Sequence, residues 1–170
     1  MDTRDAILSR RNVRDFADRP IPQEALDWIL EAGRRSPSAS NWQPWDFVVV
    51  TEREQLERLA RVWEWGGHVA RATAAIALVG PIPEDEFWRD RLHYDLGQAT
   101  MSMAIAAADL GIGICHAGAD PDLARPVLGI PDDRLCLYML SLGYPADRPL
   151  APLRRLNRRP FDEVVHRGGW

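Results

Sequence analysis

Arg10-Arg11-Asn12-Val13-Arg14 gathers three guanidiniums and a carboxamide into five residues. The segment alternates polar and apolar and reads as extended, so residues 10, 12 and 14 share one face. Arg10, Asn12 and Arg14 can then converge on one anion while Arg11 points elsewhere or reaches around. A guanidinium suits a phosphate because its planar fork donates two parallel hydrogen bonds. A second candidate is the polar loop at residues 36–44, where Ser38, Asn41 and Gln43 carry hydroxyl and amide groups able to read the edge of a planar heterocycle. The third is Gly113–Gly118, whose glycines let main chain approach a ligand and donate N–H groups to it. This last stretch does not continue as GxGxxG, and it enters a strand rather than leaving one. A Rossmann dinucleotide site is therefore disfavoured.

Composition removes several other chemistries. All 21 basic residues are arginine, which excludes a Schiff-base or P-loop lysine. Cys115 and Cys136 form no CxxC pair, and His68, His93, His116 and His166 form no HxxxH or HExxH pair, so two buried thiols and no structural metal are expected. A net charge of −4 argues against nucleic-acid and anionic-membrane partners. Residues 74–79 and 103–108 are the longest unbroken apolar runs, far short of the roughly 20 residues of a membrane span. The N-terminus is charged where a signal peptide would be apolar, and the expected location is cytoplasmic. With 170 residues, 46% apolar and 27% charged, the chain has the size and balance of one globular domain.

The elements that must carry these segments can be read from periodicity. A short helix at residues 3–9 is expected to turn Ala6, Ile7 and Leu8 inward. A second, over residues 23–35, carries an apolar stripe at Ala25, Leu26, Ile29, Leu30 and Gly33. Residues 46–50 read as a strand. Thr51-Glu52-Arg53-Glu54 has the capping-box form and predicts a helix capped by Thr51 and running to Trp63. Residues 74–79 and 134–142 read as apolar strands, and Asp120-Pro121 as the start of a helix reaching Leu128. A long helix over 84–110 has no charge between Asp95 and Asp109, and is expected to be buried all round, which a homodimer interface would achieve. The order predicts an α+β domain over residues 1–150. Residues 151–170, rich in Arg and Pro, have too little apolar content for a core of their own and read as an arm lying on another surface.

Taken together, residues 9–16, 36–50, 110–115, 128–131, 142–145 and 158–165 resemble, in order and over nearly the whole chain, the nitroreductase family of flavin enzymes. The resemblance implies an α+β nitroreductase-like fold with a central, mostly antiparallel sheet of 4–5 strands surrounded by helices. It further implies an FMN-containing homodimer whose C-terminal arm is exchanged with the partner. Carried over, Arg10, Arg11 and Asn12 hold the FMN phosphate and ribityl chain, joined by Arg158 or Arg159 from the arm. Arg14 lies near the pyrimidine end of the ring, where a fixed guanidinium tunes the flavin by stabilising the negative charge of its reduced form. Pro37, Ser38, Ala39 and Asn41 come from the other subunit, Gln43 is a further cofactor contact, and the main chain around Ala117 and Gly118 donates to the flavin. Electrons pass from NAD(P)H to a small electron-poor acceptor, nitroaromatic or quinone, in a ping-pong scheme that needs no acid–base residue in the hydride step. His116, standing where the family often has tryptophan, is a candidate proton donor. Trp65, His68 and Trp88 are candidates to face the substrate. Reductive dehalogenation, flavin fragmentation, dehydrogenation of a small metabolite, or flavin or deazaflavin binding without turnover remain open alternatives.

Overall fold

The computed structural model describes residues 1–153 and 157–170; residues 154–156 of the expected arm lie outside them. Nine regular elements follow in order: α1 (Thr3–Ser9), α2 (Gln23–Arg34), β1 (Asp46–Val50), α3 (Arg53–Leu59), β2 (Ala74–Pro81), α4 (Glu86–Asp109), β3 (Gly113–Gly118), α5 (Pro121–Leu128) and β4 (Arg134–Gly143). The strands form one sheet, ordered β1-β2-β4-β3, and every neighbouring pair is antiparallel. This is the expected α+β class, with four strands.

β2 explains the layering. Successive side chains leave a strand on opposite faces. Ala74, Ile76 and Leu78 enter a core shared with Leu26 and Ile29 of α2 and Leu92, Leu96 and Met103 of α4. Ala75, Ala77 and Val79 enter a second core with Leu56 and Leu59 of α3 and Ala124 of α5. A strand covered by helices on both faces is apolar throughout, as residues 74–79 are. Cys115 and Cys136 are both free and buried, and burial pushes the Cys136 thiol up to about 12. Among the described residues, no helix is long and apolar enough to cross a membrane.

Two local expectations are corrected. α3 begins at Arg53 with Glu52 at its N-cap and no side-chain capping bond, and it gives way at Ala60 to a 3-10 turn. The Thr51 box therefore does not form. In α1, Ala6 and Ser9 are the buried positions, while Ile7 is 48% exposed; the face turned inward is the one with small residues. A single chain alone does not enclose α4 on every side. Tyr94 (72% exposed), Gly97 and Met101 (41%) follow one another at helical spacing and open an uncharged stripe to solvent.

The extended segment after α1 lies along the outer edge of β3. Asn12 bridges Ile114 in parallel, the Val13 N–H donates to the Ile114 carbonyl at 3.0 Å, and Phe16 bridges Pro145. Val13 is 2% exposed, with Asn12 and Arg14 exposed on either side, so the alternation expected for residues 12–14 is present. Gly113 permits this contact: a Cβ there would stand 2.4 Å from Val13 Cγ2. Gly113→Ala is expected to force the segment off β3 and to cost about 1–3 kcal/mol of stability in urea unfolding.

Candidate functional site

β3 is an edge strand, and its two sides are assigned by its hydrogen bonds. Ile114 accepts from Val13 on the outer side, whereas the Ala119 N–H just beyond the strand donates inward to the Leu137 carbonyl at 3.1 Å. With a period of two, the main-chain groups of Cys115 and Ala117 engage β4, and those of His116 and Gly118 face the open edge. Gly118 and His116 are thus the residues of this strand whose N–H groups point away from the sheet at its open edge.

Along the same edge, the side chains of Arg10, Asn12 and Arg14 have no hydrogen-bond or ion-pair partner among the described residues, whereas Arg11 is committed. Arg11 Nη2 donates to Asp147 Oδ1 at 2.6 Å and to the Arg148 carbonyl at 3.1 Å, tying the segment to the chain after β4. Arg10 lies close enough to His116 to disfavour its protonation, although burial of the ring is the larger cause of its lowered pKa.

Arg14, Glu64, Trp65, Gly67, His68 and Arg71 line a cavity of about 480 Å³. Trp65 is 72% exposed at its rim, and His68 is 5% exposed. His68 Nδ1 is 2.7 Å from Ser141 Oγ, whose hydroxyl points at the Cys115 carbonyl, 3.4 Å away. The serine oxygen therefore accepts from Nδ1–H, which leaves His68 Nε2 as an acceptor. Burial first, then Arg14, Arg71 and His116, lower the His68 pKa and keep the ring neutral. Arg71 is held by the carbonyls of Arg14 and Gly67, both at 3.3 Å, and faces Asp15 at 3.4 Å. Sequence reading misses Arg71. It stands far from Arg14 in the chain, and only the turns around Gly66–His68 bring the two together.

The loop at residues 36–44 lies elsewhere, against α4. Ser36 Oγ is 2.7 Å from Ser102 Oγ, and the Ala39 N–H donates to the Asp95 carboxylate at 3.2 Å. Ser38 Oγ accepts the Gln43 N–H at 2.9 Å, and Gln43 Nε2 donates to the Asn41 carbonyl at 3.1 Å. Ser40, Asn41 and Gln43 all have left-handed φ angles, of 51°, 57° and 52°. The loop leads directly into β1, and β1 and β3 are opposite edges of the sheet, three strand spacings or roughly 14 Å apart. One chain thus does not bring Pro37, Ser38, Ala39, Asn41 and Gln43 to Arg10. Trp88 also stands apart from Trp65 and His68: it meets Trp42 edge-on at 5.0 Å and lines a different cavity with Pro44 and Ile82. Arg158 and Arg159 sit in an exposed arm, where they bond to the Asn157 carbonyl and the Glu163 carbonyl.

Residues 7–89 match the model of the nitroreductase family. The chain is 36% identical over 169 residues to the Archaeoglobus fulgidus protein named "Putative NADH dehydrogenase/NAD(P)H nitroreductase", with 96% of each covered. The chain belongs to the nitroreductase family. It is also 28% identical to the Vibrio harveyi NADPH-flavin oxidoreductase, over 97% of this chain and 73% of that one. Among solved structures, a nitroreductase family protein from Clostridium difficile 630 superposes with a TM-score of 0.83 at 25% identity, covering 97% of both chains. The fold and the family expected from the residues are thus both found.

The two lowered histidines set an acid limit on the stability of this family member. Unfolded histidine titrates near 6.5 and the folded rings titrate lower. As pH falls below that value the unfolded chain binds protons first, so stability is full above it and declines until the folded rings protonate. Urea unfolding at pH 7.5 and at pH 5.5 is expected to show this loss. His68→Asn is expected to remove part of the pH slope and His116→Asn a further part.

Proposed function

We propose that this protein is an FMN-dependent oxidoreductase that works as a homodimer, takes electrons from NAD(P)H and gives them to a small electron-poor acceptor of the nitroaromatic or quinone type. The observation that carries this reading is the row of side chains, Arg10, Asn12 and Arg14, lying uncompensated along the open edge of β3. A mononucleotide fits that donor set. Its phosphate and ribityl chain match the guanidinium of Arg10 and the amide of Asn12, with Arg11 anchoring the segment through Asp147. Family membership and the NADPH-flavin oxidoreductase relative support the same cofactors.

Bound FMN would supply a two-electron centre that accepts hydride at N5 and later returns it. The protein's part is to hold that ring and its charge. Arg14 and Arg71, side by side in the cavity, stabilise the negative charge that reduction leaves at the pyrimidine end. His68 Nε2, kept an acceptor by the Ser141 bond, suits the pyrimidine N–H. The Gly118 N–H, on the open edge beside Ala117, is the donor suited to N5. Trp65 supplies a free ring face for an aromatic acceptor to stack on. His116, exposed on β3, is the candidate to hand a proton to that acceptor, and because its pKa is lowered only its protonated form, favoured at acid pH, can do so.

The second half of the site comes from a second copy. The loop with Pro37, Ser38, Ala39, Asn41 and Gln43 reaches the partner's cofactor when two copies meet through the uncharged stripe of α4. The arm at residues 151–170, with Phe161 65% and Trp170 fully exposed, wraps the partner and brings Arg158 or Arg159 to the phosphate.

The purified protein should be yellow, and anaerobic stopped-flow mixing should bleach it with at least one of NADH and NADPH, with colour restored by an oxidant from a nitroaromatic and quinone panel. A colourless protein that gains no flavin absorbance with added FMN would contradict the reading. Arg10→Ala is expected to cost about 1.5–3 kcal/mol of FMN binding, roughly ten- to a hundredfold in Kd by fluorescence titration. Arg71→Ala is expected to make the bound flavin's midpoint potential more negative in a redox titration. Truncation after Leu153 is expected to release FMN and weaken the dimer in light scattering.

A further inference from the structure

Asp95 is the one ionisable side chain of α4 that is fully buried, 1% exposed, and no cation pairs with it among the described residues. A carboxylate removed from water without a counter-charge is costly unless hydrogen bonds satisfy it. Its donors are few and specific. The Ala39 N–H reaches both oxygens, at 3.2 and 3.4 Å, and Gln98 Nε2 reaches Oδ1 at 3.2 Å from the next turn of the helix. Ala39 opens the 3-10 turn at Ala39–Asn41, immediately before the loop's three left-handed residues. Non-glycine residues with such φ angles persist only where the surroundings hold them. Here the holding comes from α4, through Asp95 at Ala39 and Ser102 at Ser36, and from the Ser38–Gln43 bond inside the loop.

We propose that Asp95 is a positioning residue for cofactor binding: by gripping the Ala39 N–H it presets the shape in which Ser38 and Asn41 meet the partner subunit's FMN. The proposal rests on the cross-subunit role assigned to this loop. Asp95 follows Tyr94 and lies two residues before Gly97 and six before Met101, the open stripe of the same helix. One turn of α4 thus both carries the surface for a second copy and shapes the loop that serves that copy's cofactor. A loop already held in its bound shape loses less freedom on binding, and so binds more tightly.

The test is FMN titration of the dimeric protein, with the visible circular dichroism of the bound flavin recorded beside it. Asp95→Ala is expected to weaken FMN binding about tenfold and to change the flavin dichroism, because the loop no longer has one shape. Asp95→Asn, whose amide oxygen still accepts from Ala39, is expected to recover affinity to within about threefold of the parent. If Asp95→Ala does not yield a folded dimer, Ala39→Pro deletes the same hydrogen bond from the loop side. Ser38 before it is already extended, at φ −143° and ψ 158°, as a residue preceding proline must be. Parent-like FMN affinity and dichroism in Asp95→Ala, or in Ala39→Pro where Asp95→Ala does not fold, would overturn the proposal. Asn41→Ala separates the two levels. A loss there with none at Asp95 removes only the role of Asp95, whereas no loss at Asn41 removes the cross-subunit assignment of the loop itself.

Discussion

Positive charge without a counter-charge is the feature on which this architecture turns. Arg10 and Arg14 are held along one strand edge by the parallel bridge between Asn12 and Ile114, and Arg71, itself paired with Asp15, shares a cavity with Arg14 and Glu64. Several other arginines are matched by carboxylates: Arg34 and Arg35 with Glu31, Arg89 with Asp90, and Arg11 of the same segment with Asp147. Arg10 and Arg14, on the β3 edge, have no such partner among the described residues. Like charges there repel one another weakly in water and more strongly as water is excluded. A bound anion reverses the sign of that contribution, and the neighbouring neutral His68 and open main-chain N–H groups suit a polar planar ring attached to the anion.

The same geometry explains why a second copy is invoked. The loop at residues 36–44 and the arginine segment flank opposite edges of a four-stranded sheet, each pinned by its own hydrogen bonds. No side-chain movement joins them within one chain. The exposed stripe on α4 and the exposed arm are two surfaces that a single chain leaves uncovered, and the proposed second copy would cover both.

Much of the fold is legible in the residues because the burial pattern is strong. The doubly covered β2 is apolar at every position, α2 has a clean stripe, and Asp120-Pro121 starts α5 with the Asp120 carboxylate capping the N–H groups of Asp122 and Leu123. Misreadings fall where local rules compete with packing. A capping box at Thr51 is outweighed because the chain continues extended to Glu52 before the helix can start. The sides of α4 cannot be told apart from sequence, since its second half is apolar or small all round and only the tertiary arrangement decides which stripe is left open. For the site, alternation along residues 12–14 is enough to align Asn12 and Arg14. The commitment of Arg11 to Asp147 and the arrival of Arg71 beside Arg14 depend on contacts between residues distant in the chain, and no spacing rule reports those.

The central claim is that each cofactor is held by arginines of one chain and the loop of another, and mixed dimers test it most directly. A chain carrying Arg10→Ala and Arg14→Ala would be co-produced with a chain carrying Ser38→Ala and Asn41→Ala, the heterodimer isolated by two different tags, and its FMN content measured. Each parent homodimer has both sites damaged. The account predicts that the heterodimer retains one intact site, holding about one FMN per dimer and oxidising NAD(P)H. A heterodimer as empty and inactive as the two homodimers, while the unaltered dimer is loaded, would mean that arginines and loop serve the same chain's cofactor, and would contradict the account.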